Sequence, residues 1–305
     1  MNNRSLAKLA SAGEVARNSE LRTAAYLEVR EDSSTESTHK FSAKVELQKR
    51  SNITKRPAHL DPARLMLLNN GVTETTNLKE CLAVDFSLLL PATLPELDKS
   101  LIHIIERQKS LGISKRMVMM GQLLLEHLGP SLIKRLQSHP ADTVRGWACF
   151  MIGAIGEMTL ADRLAAIRPL ADDRHFGVRE WAWMALRQHF TLDLATAIEL
   201  LSEWTHESSE RLRRFASEAI RPRGVWCSHI LRLKQHPELA LPLLEKLRAD
   251  PAKYVQDSVG NWLNDASKDQ PDWVSMLCNR WLFESPALAT QKICKRGLRS
   301  LNRKN

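Results

Sequence analysis

Four stretches of this sequence superimpose on one another, and that repetition constrains the fold more than any other feature. They run from His139 to Ala148, Asp173 to Ala182, Glu207 to Ala216 and Asp250 to Val259. All align on a Val/Leu-Arg/Gln step, at Val144-Arg145, Val178-Arg179, Leu212-Arg213 and Val255-Gln256, so successive steps lie 34, 34 and 43 residues apart. That is the length of one helix pair. In each unit a polar or Pro-containing turn opens a helix. The Val or Leu and the small residue four positions on share its core face, and the Arg is expected to point aside.

Outside the repeats the punctuation is also helical. From Asp61-Pro62 onward, Pro, Gly and Asn separate segments of 10–18 residues with apolar side chains at helical spacing, among them Leu123, Leu124, Leu128, Ile152 and Ile155. No alternating strand pattern competes, which excludes a Rossmann fold or a barrel. The expected architecture is all-α: a HEAT-like repeat solenoid, an α-α superhelix spanning 59–305, with one row of helices lining a concave basic face.

Residues 1–58 read differently. They are rich in Ser, Thr, Asn, Lys and Glu, with the run Asp32-Ser33-Ser34-Thr35-Glu36-Ser37-Thr38, and carry too few large apolar side chains to offset chain entropy. A polar tail is expected there, either a basic arm or a solvated one. The formal charge of the chain is +9. Residues 1–60 hold 11 Lys/Arg against 7 Asp/Glu, hence +4, so the other 245 residues carry only +5. A body that mild binds phosphates only if its cations gather on one face. The C-terminal run Lys292, Lys295, Arg296, Arg299, Arg303 and Lys304 is a second place where they gather.

Cys81, Cys149, Cys227, Cys278 and Cys294 are scattered, without a CxxC or a Cys/His cluster at ligand spacing. A reduced, metal-free, cytoplasmic protein without a cofactor is expected. No stretch reaches the ~18 apolar residues of a membrane span, and the N-terminus lacks a signal-peptide core.

Three acids on successive repeat helices need explaining: Glu180 in Val178-Arg179-Glu180-Trp181-Ala182-Trp183, Glu218 in Arg213-Arg214-Phe215-Ala216-Ser217-Glu218, and Asp265 in Asn261-Trp262-Leu263-Asn264-Asp265. Stacked helices lie ~8–10 Å apart, so carboxylates from three of them can converge. Glu180 is flanked by Trp181 and Trp183, and Glu218 is followed by Arg221-Pro222-Arg223-Gly224-Val225-Trp226. An acid beside an indole face suits a cationic ligand, although at least one of Trp181 and Trp183 is expected in the core.

These motifs resemble the DNA alkylation repair glycosylases of the AlkC/AlkD type, closer to the AlkC branch. The resemblance rests on Val178 to Ala185, on Ser217-Glu218 with Arg221-Pro222-Arg223, and on Ser258 to Pro271. Asn69-Asn70-Gly71, Thr76 to Glu80 and Ala83-Val84-Asp85-Phe86 resemble that branch's N-terminal helices. It spans roughly 62–300 and implies HEAT-like repeats cradling double-stranded DNA, with Glu180, Glu218 and Asp265 at the active-site carboxylates. Gln256-Asp257 stands where the family usually has a basic residue, and Ala219-Ile220 where it has Gly-Thr. The first departure is expected to weaken a phosphate contact.

The implied activity is hydrolytic excision of cationic alkylated bases such as 3-methyladenine, with 7-methylguanine and 3-methylcytosine as alternatives, by a monofunctional enzyme acting as a monomer. A cationic purine leaves without protonation, so ionised carboxylates need only stabilise the oxocarbenium-like sugar and place a water. Glu218 or Asp265 is expected to do so, with Glu180 holding the base and Trp181, Trp183 and Trp226 contacting it. Arg179, Arg213, Arg214, Arg221, Arg223 and Lys268 are expected to meet phosphates. The alternatives are a non-catalytic binder of bent or branched DNA on the same scaffold, and a protein scaffold without a nucleic-acid role.

Overall fold

The computed structural model describes residues 60–98, 100–224 and 226–301; the expected tail at 1–58, Arg303 and Lys304 lie outside the described residues. Among the described residues there are sixteen α-helices, two short 3-10 segments and no strand. The first four helices are α1 (Pro62–Asn69), α2 (Leu78–Ala83), α3 (Phe86–Thr93) and α4 (Ser100–Arg107). Their starts follow from local chemistry. The side chains of Asp61, Asn77 and Asp85 accept from the backbone N–H groups of Ala63, Glu80 and Ser87, and Pro62 occupies a first-turn position where no N–H is missed.

Two layers then run through the rest of the molecule. One row is α5 (Ile113–Leu128), α7 (Asp142–Ala154), α9 (Phe176–Leu192), α11 (Glu210–Ala219), α14 (Lys253–Ala266) and α16 (Leu288–Gly297), each packed on the next. The other comprises α6 (Leu132–Gln137), α8 (Leu160–Ala171), α10 (Leu194–Trp204), α13 (Leu241–Leu247) and α15 (Pro271–Glu284), each packed against the first row. The repeat step supplies the core between them. Val144, Val178, Leu212 and Val255 are buried, and so are Ala148, Ala182, Ala216 and Val259 four positions on. The expected all-α, HEAT-like solenoid is borne out.

Close approach within the first row depends on missing side chains. A Cβ on Gly121 of α5 would lie 2.5 Å from the carbonyl carbon of Phe150 on α7, and one on Gly153 of α7 would lie 2.6 Å from the Ala185 carbonyl oxygen on α9. Neither distance is open to a real Cβ, so both positions require glycine.

The repeat arginine does not point aside, and this corrects the expectation. Arg145 donates to the carbonyls of His139 and Pro140, Arg179 to those of Asp173 and Arg174, and Arg213 to those of Glu207 and Ser208. Each reaches back six and five residues to fill acceptors of its own entry turn, which helix bonds cannot reach. Gln256 makes the same pair of bonds to Asp250 and Pro251 with its amide. The step therefore tolerates Arg or Gln for one reason: both present N–H donors at that reach. Arg145 and Arg213 add a bond to the next turn, pairing with Asp173 at 2.8 Å and Asp250 at 2.6 Å, which ties one unit to its successor.

The 43-residue spacing has a structural cause in the segment between α11 and α13, which holds α12 (Leu231–Gln235) and a 3-10 turn at Pro237–Ala240. Its start is pinned by Arg187 of α9, a buried guanidinium that donates to the carbonyls of Ala219 at 3.0 Å, Arg221 at 2.6 Å and Ser228 at 3.0 Å.

Candidate active site

Helices α9, α11 and α14 are consecutive in the first row, and they bring the three acids named from the sequence into one ion-pair chain. Glu180 Oε1 lies 2.7 Å from Arg214 Nη1, and Arg214 Nη2 lies 3.5 Å from Glu218 Oε2. Glu218 Oε1 accepts from Arg221 Nη1 at 2.7 Å, while Arg221 gives Nε and Nη2 to Asp265 Oδ2 at 2.9 and 2.6 Å. Lys268 closes the far end on Asp265 Oδ1 at 3.1 Å. Three anions thus alternate with three cations across three repeat units.

Helical spacing explains who meets whom. Arg214 and Glu218 are four apart on α11, the separation that places side chains side by side, and Arg221 follows the helix in a turn closed by its own N–H on the Glu218 carbonyl at 3.3 Å. Tyr254, Ser258 and Asp265 share one face of α14 for the same reason.

The chain is graded in exposure. Side-chain exposure is 35% for Glu180, 6% for Glu218 and 5% for Asp265, so the acid on α9 is the one that solvent reaches. Burial alone would raise the pKa of Glu218, but the Arg214 and Arg221 guanidinium groups and the Ser258 hydroxyl hold it below the usual glutamate value. Burial likewise opposes the charge on Arg214 and Arg221, and the facing carboxylates reverse this and push both pKa values up. The buried portion is therefore a set of fixed, ionised groups, each satisfied by its neighbour.

The indoles separate into three roles. Trp181 and Trp183 are both buried, in keeping with at least one of them belonging to the core and against the expectation that both contact the base. Trp181 packs on Phe150 with ring centroids 6.0 Å apart, and Trp183 donates its Nε1–H to Glu180 Oε2 at 2.9 Å. Trp226 is 49% exposed and sits at φ 69°, a left-handed conformation that a bulky residue rarely takes.

The cations expected at phosphates are largely engaged within the protein. Arg179 and Arg213 hold their entry turns, Arg214 and Arg221 hold the acids, and Arg223 pairs with Asp269 at 2.7 Å. Gln256 faces turn carbonyls, so its substitution for a basic residue acts on the repeat turn.

Three residues of the site were not singled out by sequence. Ser258 donates to Glu218 Oε2 at 2.7 Å, and Tyr254 is flanked by the guanidinium groups of Arg179 and Arg214, 5.3 and 4.9 Å from its ring centroid. Arg187 is the third, through its hold on the segment that carries Arg221. The signal for Ser258 was its seven-residue spacing from Asp265, which puts both on one face of α14.

Among the described residues, no group of three or more His, Cys, Asp or Glu could hold a metal ion, and no helix is long and apolar enough to cross a membrane. No disulfide joins the five cysteines. Two open depressions, one at Gly156, Met158 and Asp162 and one between Thr205, Arg213 and Asp250, do not include the three acids.

Comparison with known proteins agrees with this geometry. A family model described as DNA alkylation repair enzyme matches residues 178–280, the stretch that contains Glu180, Glu218 and Asp265, and one described as HEAT repeats matches 129–221. The chain is 39% identical over 120 residues to the uncharacterized protein YhaZ of Bacillus subtilis (strain 168), covering 39% of this chain and 33% of that protein. It superimposes on the Pseudomonas fluorescens alkylpurine DNA glycosylase AlkC, solved bound to DNA containing an abasic site analog, with a TM-score of 0.59 and 25% identity. That match covers 80% of this chain and 66% of AlkC. AlkD2 from Streptococcus mutans shares the fold, with a TM-score of 0.52 and 24% identity over 66% of this chain and 97% of its own. The chain thus spans about a third of the curated relative's length and just under two thirds of AlkC. The resemblance to DNA alkylation repair enzymes is borne out.

Proposed function

We propose that this chain is a monofunctional DNA glycosylase that hydrolyses the N-glycosidic bond of cationic alkylated bases, 3-methyladenine foremost, in double-stranded DNA. The observation that carries the reading is the Glu180–Arg214–Glu218–Arg221–Asp265 chain, which spans three successive repeats and opens to solvent at Glu180.

An alkylated cationic purine is a good leaving group, so the reaction needs no general acid. Departure of the base leaves positive charge on the sugar. A preorganised carboxylate near the anomeric carbon stabilises that charge and orients the attacking water. Glu180, the acid within reach of solvent, faces the cationic nucleotide, while Glu218 and Asp265 supply negative potential behind it and place the water. Trp226 offers an exposed indole face to the base. Lys268 is spent on Asp265 and forms no Schiff base in this scheme.

Phosphate contact falls to the more open cations. Arg179 and Arg223 retain further N–H groups of their five, and the Lys268 side chain is 41% exposed. In this reading the first row of helices forms the concave basic face, and the protein works as a cytoplasmic monomer without metal or organic cofactor.

The test is release of free 3-methyladenine from methylated duplex DNA by the purified protein, with binding measured in parallel. Binding without release rejects the enzyme. That outcome would favour a non-catalytic binder of bent or branched DNA, a reading supported by the occupation of both oxygens of Glu218 and Asp265 by protein donors.

A further inference from the structure

Ser217 and Ser258 lie on adjacent helices, α11 and α14, and both hydroxyls are buried. Ser217 Oγ is 2.8 Å from Ser258 Oγ, and Ser258 Oγ is 2.7 Å from Glu218 Oε2. The direction of this relay is fixed by proton count. An ionised carboxylate can only accept, so the single Ser258 proton goes to Glu218 and Ser258 accepts from Ser217, whose hydroxyl has the Arg214 carbonyl at 3.1 Å as its other, longer acceptor.

Resting on the reading above that the Glu218 carboxylate works in the site, we propose that Ser258 is the positioning residue that sets the orientation of Glu218, with Ser217 orienting the Ser258 hydroxyl in turn. The geometry around Glu218 carries it. One oxygen is held by Arg221 at 2.7 Å and the other by Ser258 at 2.7 Å, while Arg214 stands farther off at 3.5 Å. Removing the hydroxyl leaves Oε2 with the looser partner. The carboxylate then turns about its terminal torsion toward Arg214, and Arg221 loses one of the two acids it spans. Ser258 precedes Asp265 by seven residues on α14, so the helix that delivers Asp265 to Arg221 also delivers the hydroxyl to Glu218. One rigid element thereby sets both acids relative to the same guanidinium.

The charged groups around Glu218 are accounted for on every side. Arg214 and Arg221 face it directly, and Arg187 of α9 faces it through space. Glu180 lies beyond Arg214, Asp265 and Lys268 beyond Arg221, and the Tyr254 ring against Arg214. Ser258 is the uncharged donor among these contacts, and its removal changes the hydrogen bonding of Glu218 without changing the net charge.

The experiment is a carbon-13 titration of the Glu218 carboxyl in the full chain, its resonance identified by disappearance in Glu218→Gln. Ser258→Ala is expected to move the titration midpoint to higher pH, Ser258→Thr to restore it, and Ser217→Ala to move it less. A Ser258→Ala titration that superimposes on wild type, in protein of native helix content, overturns the proposal. Should Ser258→Ala fail to fold, Ser217→Ala carries the test: a raised midpoint supports the relay and an unchanged one overturns it. This readout needs no activity, so wild type that releases no base would remove the glycosylase reading and leave the relay to be judged by the titration. Where base release is present, the acid limb of kcat in Ser258→Ala moves to higher pH while KM holds.

Discussion

The indole Nε1–H of Trp183 donates to Oε2 of Glu180, three residues earlier on α9, at 2.9 Å. A tryptophan beside an acid suggested a stacking platform for a cationic base, but this ring is buried and acts on the carboxylate instead. Trp183→Phe keeps an aromatic ring and removes only the donor. The expected outcome is a modest stability loss of about 1 kcal/mol. Base release should fall on the order of tenfold to a hundredfold, as a displaced reacting group implies. Thermal unfolding and single-turnover kinetics on the same preparation measure the two effects separately.

Glu218→Gln tests the buried part of the ion-pair chain. The substitution preserves shape but leaves Arg214 and Arg221 with one fewer anion in a buried setting, so a destabilisation of about 3–5 kcal/mol is expected. Asp265→Asn should cost less, because the Lys268 side chain is 41% exposed and solvent screens the cation it leaves. Urea unfolding at neutral pH ranks the two, and equal losses would contradict the screening of Asp265's partner Lys268 by solvent.

Acid should reveal the same acid through linkage. The folded pKa of Glu218 lies below the ordinary glutamate value of 4.5. Its contribution is therefore fully present above 4.5 and is lost as pH falls through the folded value. Stability of wild type minus that of Glu218→Gln, followed from pH 7 downward, should stay level to about pH 5 and then shrink. A difference that grows on acidification would mean the carboxyl is held protonated.

The repeat clamp predicts a rank order at Arg145. Its side chain is buried, holds two turn carbonyls and pairs with Glu74 and Asp173. Arg145→Gln should keep the carbonyl bonds, as Gln256 does in the fourth unit, and lose the ion pairs. Arg145→Ala loses both and should unfold at lower urea by an additional 1–2 kcal/mol or so, the worth of about one or two hydrogen bonds. Equal effects of the two variants would remove the clamp as the reason for the repeat motif.

Much of this was legible in the sequence, and the part that was not has a common physical origin. The helix pairs, the buried Val/Leu step and the three acids could be read because periodicity and residue type are local properties. The partners of the arginines could not, because a guanidinium finds its acid through tertiary distance: Arg145 meets Asp173 28 residues on, Arg213 meets Asp250 37 on, and Arg221 meets Asp265 44 on. Without those partners the cations look like a phosphate-binding set. Trp183 shows the reverse case, a local spacing that was visible but compatible with either an outward or an inward ring. The 43-residue interval was longer than the other two, yet nothing in its composition told that Arg187, from the preceding unit, would hold the added segment.

The alternating anions and cations between Glu180 and Lys268 also act on how the solenoid can deform. Sliding α9 or α14 past α11 by a single turn, 5.4 Å, would take Glu180 off Arg214 or Asp265 off Arg221 and leave a buried guanidinium with one acid fewer. The ion pairs thus oppose a slip in register between these three helices, as the teeth of a rack do.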